Sequence, residues 1–251
     1  MKRALTIAGS DSSGGAGIQA DLKVFADLGV YGFSAVTAVT AQNSRGVQKV
    51  NKVPPRIVAA QIDASVRDFG VDACKIGMLY SHQVVSVVAE RLRRREIPNV
   101  VLDPVIFAKD GQRLVSSAGV SRMKREILPS TLLVAPNLEE AEVLTGRSDR
   151  EDAARALHDM GAKFVLIKGG HLEGEPVDLL FDGERFTEYH GARVEEKTLH
   201  GTGCILSAAI AAKIALGDAV PDAVAFAKGF VASAINKSIR LGKGRMWYYA
   251  G

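Results

Sequence analysis

Leu199-His200-Gly201-Thr202-Gly203-Cys204 runs without interruption into Ile205-Leu206-Ser207-Ala208-Ala209-Ile210-Ala211-Ala212-Lys213. Two glycines flank a threonine, and the stretch after them is alanine-rich, carries Leu and Ile, and lacks any helix breaker. That pattern reads as a tight loop delivering the chain into a strong helix. The first turn of such a helix has unpaired N–H groups and the positive end of the dipole, so it attracts anions. A thiol at Cys204 would find its thiolate stabilised by the same field. An anion cradle and a proton acceptor therefore fall within residues 201–204. An ordinary helix start with a buried small residue fits the same letters.

The 251 residues suit one α/β domain spanning 1–251, and no linker, repeat or low-complexity segment divides them. Hydrophobic residues make up 47% but aromatics only 6%, which predicts an aliphatic core. The net charge of +4 is dispersed. Its densest basic run, Arg91 to Arg95, reads better as a solvated helix face than as a nucleic-acid contact. Cys74 and Cys204 lie far apart in no metal-ligand spacing, which predicts reduced thiols in a cytoplasmic protein. The start is too quickly polar for a signal peptide, and no run reaches the roughly 18 apolar residues of a membrane helix.

Strand and helix patterns alternate along the chain. Leu5 to Ala8 predicts a buried strand, Gly9 to Gly17 a small-residue loop, and Ile18 to Leu28 a helix. Phe33 to Ala41 predicts a strand, Gly46 to Val53 a half-exposed strand or flap, and Pro54-Pro55 opens a helix through Phe69. Further strands fall at 73–76, 100–102, 132–134 and 165–167, with helices at 81–95, up to 128, at 138–144 and at 152–160. Asp182-Gly183 marks a hairpin between 177–181 and 185–189, and two long helices close the chain, the second from about Pro221 to Leu241. This alternation predicts a three-layer α/β/α sandwich, a mostly parallel sheet with helices on both faces. Ligands in such folds sit at the carboxyl ends of the strands, where the polar Gly-rich segments here fall.

Gly15-Ala16-Gly17-Ile18-Gln19-Ala20 matches the dinucleotide pattern, but that pattern needs an acidic residue about 20 positions on. From Leu28 to Ile62 there is no Asp or Glu, so the nicotinamide reading is rejected; no P-loop occurs either. Asp103, at a strand end, could hold hydrated Mg²⁺ against phosphate, or cap a turn. Asn137 and Glu140 have capping-box spacing. Lys168 sets an ammonium beside Gly169-Gly170, as phosphate binding would use, and His171 reads as a loop hydrogen-bonder. Anion-binding backbone, a cation, carboxylates and a thiol at one sheet edge favour phosphoryl transfer.

At this point the chain resembles the hydroxymethylpyrimidine/phosphomethylpyrimidine kinases, the thiamine-biosynthesis members of the ribokinase-like superfamily. Seven blocks carry the resemblance: 5–11 with 17–23, Thr40-Ala41-Gln42-Asn43, Lys75-Ile76-Gly77-Met78-Leu79, Asp103-Pro104-Val105, Pro136 to Ala141, Lys168-Gly169-Gly170-His171 and His200 to Cys204. The resemblance implies ATP- and Mg²⁺-dependent phosphorylation of 4-amino-5-hydroxymethyl-2-methylpyrimidine to its monophosphate and then its diphosphate. It implies that Asp21 and Gln42 hydrogen-bond the aminopyrimidine, that Met78 and Val105 pack its ring, and that Gly9 lies against it. Asn137 and Glu140 would organise Mg²⁺ and phosphate, Lys168 would face the ATP phosphates, and Asp103 would lie near the metal. Gly201, Thr202 and Gly203 would form the anion hole, and Cys204, where sugar kinases have an aspartate, would be the base. A homodimer is also implied, with no role for nucleic acid or membrane.

One departure is the tail Arg245-Met246-Trp247-Tyr248-Tyr249-Ala250-Gly251, where the family usually has a Gly-Pro-Val-like end. Two rival readings remain. A pyridoxal kinase shares the Gly-Thr-Gly-Cys signature and an acceptor with a CH₂OH on an aromatic nitrogen ring. A non-catalytic pyrimidine sensor would not need a metal site and a base together.

Overall fold

The computed structural model describes residues 1–108, 111–170, 176–191, 201–240 and 246–247. Nine strands form one sheet in the order β3-β2-β1-β4-β5-β6-β7-β8-β9. They are β1 (Arg3–Asp11), β2 (Tyr31–Asn43), β3 (Gly46–Lys52), β4 (Ala73–Ile76), β5 (Val100–Leu102), β6 (Leu133–Val134), β7 (Phe164–Ile167), β8 (Asp178–Phe181) and β9 (Phe186–Tyr189). From β2 through β7 every pairing is parallel, while β3 at one edge and β8 and β9 at the other run antiparallel.

Alternate residues of the central strands enter two cores. Leu5, Ile7, Cys74, Ile76, Val100, Leu102 and Val165 face one side, covered by α2 (Pro55–Phe69), α3 (His82–Arg94), α4 (Ser117–Arg122), α5 (Leu138–Thr145) and α6 (Arg150–Asp159). Ala4, Ala73, Val101, Leu133 and Leu166 face the other, under α1 (Gly17–Asp27), α7 (Thr202–Leu216) and α8 (Val220–Asn236). The three expected layers are present. α7 is buried along Ile205–Ala212, and its alanines let it lie close to the sheet. Arg91 and Arg95 both grip Asp63 of α2, at 3.0 and 2.8 Å, so the basic run ties two helices together.

Three boundaries depart from the sequence expectation. β1 and β2 run on to Asp11 and Asn43, and β3 pairs with β2 as an edge strand. The helix expected to end near Leu128 is α4 continued by a π turn (Met123–Ile127) and a 3₁₀ turn (Leu128–Ser130), stopped where Pro129 removes a donor. α8 ends at Asn236 rather than near Leu241. The Ser238 hydroxyl donates to the Ile235 carbonyl, and Ile239–Arg240 (β10) pairs antiparallel with Met246–Trp247 (β11). His171, His200 and the rest of the aromatic tail lie outside the described residues.

β1 is the first strand, yet β2 lies on one side of it and β4 on the other. The crevice beyond the carboxyl ends of β1 and β4 is therefore the topological switch point, where such sheets take their ligands. Among the described residues no helix is long and apolar enough to cross a membrane.

Candidate active site

β1 ends at Asp11, whose carboxylate shapes the loop into α1. It accepts N–H bonds from Ser13 (2.9 Å), Gly15 (3.2 Å) and Ala16 (2.9 Å), and the Ser13 hydroxyl at 2.6 Å. Against this loop comes the start of α7. Gly201 caps that helix in the left-handed region, φ 82°, and any side chain there would strike the Gly15 carbonyl. No side chain caps the helix, so the first-turn N–H groups of Thr202, Gly203 and Cys204 open toward the crevice.

Two charged side chains from strand ends meet this turn, and a third, from α5, stands beside them. Lys168, just past β7, donates to Asp103, just past β5, at 2.6 Å, and its ammonium lies 3.8 Å from Glu140. The position a Cβ would take on Gly203 lies 3.5 Å from Lys168 Nζ and 3.7 Å from Asp103 Oδ2. Ser207, one turn into α7, donates to the same Asp103 carboxylate at 3.2 Å. Asn137 and Glu140 form the expected reciprocal cap of α5, with N–H···O distances of 2.8 and 2.9 Å.

Electrostatics follow from burial and these pairings. Burial disfavours the Asp103 carboxylate, but Lys168 and Lys75 outweigh it and hold the group below its ordinary value. Burial pushes Glu140 up to about 6, with Lys168 pulling it down and Asp103 adding to the rise. Lys168 stays charged because Asp103 and Glu140 overcome the cost of burying it. Asp103 and Glu140 present hard oxygen donors beside an anion-binding helix start, which fits a hydrated Mg²⁺ held mainly by phosphate oxygens. Among the described residues no cluster of three or more His, Cys, Asp or Glu could hold a metal unaided.

Two assignments are revised. Asp21 does not reach the crevice. Its carboxylate is fully buried, accepting the Thr6 hydroxyl at 2.6 Å and both bonds of the Lys75 ammonium at 2.9 Å. Thr6 and Lys75 are register partners on β1 and β4, so their side chains point together at α1. Cys204 lines the crevice, but its surroundings favour the thiol over the expected dipole-held thiolate. Burial pushes the thiol up to about 11, with Asp21 and Asp103 adding to the rise, against Lys75 and the Gly17 N–H, which favour the thiolate. A helix terminus contributes at most about 2 kcal/mol in a partly buried setting, which does not offset the desolvation of the thiol.

The remaining expected residues line one cavity of about 720 Å³. At its β1–β4 end stand Gly9, Gln42, Met78 and Val105, with Phe107 and Leu114. A side chain on Gly9 would collide with the Met78 methyl, so this glycine makes room for Met78. A register shift between Ala41 and Gln42 aims Gln42, and Ser12 bonds its backbone in both directions at 2.8 and 2.9 Å. At the far end Leu206, Val231, Ala232 and Ile235 make an apolar wall beside Lys228, which is paired with Asp178 at 2.7 Å.

Sequence reasoning gave no role to Lys75, Ser207, Asp178, Lys228 or Arg45. Lys75 left a usable signal, because a charge inside the fully buried strand Ala73-Cys74-Lys75-Ile76 demands a partner. Only the tertiary fold brings Asp178, Lys228 and Arg45 to the cavity and Ser207 to Asp103.

An anion-binding helix start, an ammonium, two carboxylates and a thiol at the carboxyl edge of a mostly parallel sheet define a ribokinase-like small-molecule kinase. The chain belongs to the phosphomethylpyrimidine kinase family, whose model matches residues 11–248. It is 48% identical over 244 residues to the hydroxymethylpyrimidine/phosphomethylpyrimidine kinase of Escherichia coli, covering 94% of this chain and 92% of that protein. Likewise it is 48% identical over 246 residues to a thiamine biosynthesis bifunctional protein of Geobacter sulfurreducens, of which it spans 50%. The Bacillus subtilis pyridoxal kinase in its ADP complex superposes with a TM-score of 0.92 at 36% identity, covering 99% of this chain and 97% of that one. The Clostridium difficile phosphomethylpyrimidine kinase gives 0.84 at 38%, covering 94% and 100%.

Proposed function

We propose that this chain, as one kinase domain over 1–251, phosphorylates 4-amino-5-hydroxymethyl-2-methylpyrimidine with MgATP, first to the monophosphate and then to the diphosphate. The observation that carries the reading is the meeting of Lys168, Asp103 and the uncapped start of α7 beside the Gln42–Met78–Val105 chamber. The acceptor ring packs between Met78 and Val105 with Gln42 bonding its polar edge, which directs the CH₂OH group toward Cys204. The apolar wall of Leu206, Val231 and Ile235 takes the nucleotide base. Asp103 and Glu140 would hold Mg²⁺, which supplies charge neutralisation on the transferring phosphoryl group.

The hydroxyl oxygen attacks the γ-phosphorus, the bond to ADP breaks, and the hydroxyl proton passes to the Cys204 sulfur. Thr202 and Gly203 N–H groups and the Lys168 ammonium meet the charge that develops on the phosphoryl oxygens. Lys75, held charged by Asp21, biases Cys204 toward the thiolate from behind. Burial raises the pKa of the thiol, and Lys75 and the Gly17 N–H are the groups that favour the thiolate against it.

A second reading, pyridoxal phosphorylation, is favoured by the closeness of the Bacillus subtilis superposition. Purified protein incubated with MgATP and either acceptor, with products followed by mass, tests both. Pyrimidine monophosphate followed by diphosphate supports the first reading; pyridoxal phosphate alone replaces it.

A further inference from the structure

The two phosphorylations present different acceptors to one cavity, a neutral alcohol and then a phosphate monoester. The second brings an extra dianion, which requires a positive partner that the first does not. Four cations line the cavity among the described residues: Lys75, Lys168, Lys228 and Arg45. Three are matched by carboxylates, Lys75 by Asp21 at 2.9 Å, Lys168 by Asp103 at 2.6 Å and Lys228 by Asp178 at 2.7 Å. Arg45 forms no ion pair among the described residues. It sits on the turn joining β2 to β3, three residues past Gln42, and lines the same cavity. That turn is braced: Asn43 Oδ1 accepts the Arg45 N–H at 2.9 Å, and Ser12 fixes the Gln42 backbone beneath it.

We propose that Arg45 is a specificity-determining residue that binds the acceptor's own phosphate in the second phosphorylation. The inference rests on the pyrimidine kinase reading above. A guanidinium offers a planar fork of donors to phosphate oxygens, and the braced backbone of the turn leaves only the side chain to be ordered.

The test compares Arg45→Ala with the unaltered protein, using synthetic hydroxymethylpyrimidine and its monophosphate as separate acceptors. Arg45 is exposed on a turn, and the melting temperature of the variant checks that the fold is retained. The ratio of kcat/KM for the monophosphate to kcat/KM for the alcohol should fall about tenfold or more, through KM, so that monophosphate accumulates. Arg45→Lys should restore part of the ratio, because a charge remains without the fork. An unchanged ratio in Arg45→Ala, with both steps running in the unaltered protein, overturns the role of Arg45. Failure of the unaltered protein to phosphorylate the alcohol overturns the kinase reading instead.

Discussion

At the scale of single residues, the roles proposed for Cys204 and Glu140 each have a pH signature. If Cys204 takes the hydroxyl proton, a thiol near 11 makes the active fraction rise tenfold per pH unit below that value. The rate of the first phosphorylation should therefore climb across neutral pH. Cys204→Ala should leave pyrimidine affinity nearly intact and lower turnover about a hundredfold or more. The second phosphorylation should fall less, because a monophosphate is largely dianionic above its second pKa of about 6 and its attacking oxygen needs no base. Steady-state kinetics with each acceptor decides this, and equal losses would remove Cys204 as the base.

Glu140 works the other way. Its carboxyl, raised to about 6 in the fold, stabilises the protein fully below the unfolded value and loses that contribution as pH climbs through 6. In metal-free buffer the unaltered protein should lose about 2 kcal/mol relative to Glu140→Gln between roughly pH 4.5 and 7. Parallel stability curves for the two proteins would contradict the assignment.

At the level of elements, two features were plain in the letters and two were hidden. The Asn137-x-x-Glu140 cap and the start of α7 could be read because their partners lie within four residues of one another. Asp21 was assigned a ligand contact through the family resemblance, while its actual partner, Lys75, lies 54 residues away and is invisible to any local pattern. The bulge that aims Gln42 was equally invisible, since a one-residue register shift depends on the neighbouring strand. Lys75→Met should destabilise the fold by about 3–5 kcal/mol by stranding a buried carboxylate, and adding Asp21→Leu should recover much of that loss. Urea unfolding of the single and double variants measures it, and additive losses would mean the pair is not coupled. Gly201→Ala should both lower stability and weaken ADP binding, because the left-handed cap and the contact with Gly15 leave no room for a methyl group. Calorimetric titration with ADP would detect unimpaired binding if that were wrong.

Over the full sheet, alternation of strands and helices was enough to predict three layers, and Asp182-Gly183 gave the hairpin of β8 and β9. Strand order was not legible, because nothing local says that β4 returns to the far side of β1. That reversal decides where ligands go. In the proposed reading the acceptor chamber draws on β1, β2 and β4 and the phosphate end on β5, β7 and α7, so acceptor and nucleotide meet where the two halves of the sheet join. ADP at 100 times its Kd should add about 2.7 kcal/mol to stability, read as a higher melting temperature.

α7 has a further consequence. It is walled in along Ile205–Ala212, and its first turn faces the chemistry. Mutation can hardly relocate a post so deeply set without unpacking the layer it anchors. Substitutions at the start of α7 should therefore cost the fold and the phosphate site together, while the rim of the β2–β3 turn, Phe107 and Leu114 can be exchanged without disturbing that helix. A change of vitamin is then a change of rim, within reach of a few substitutions that leave the interior untouched.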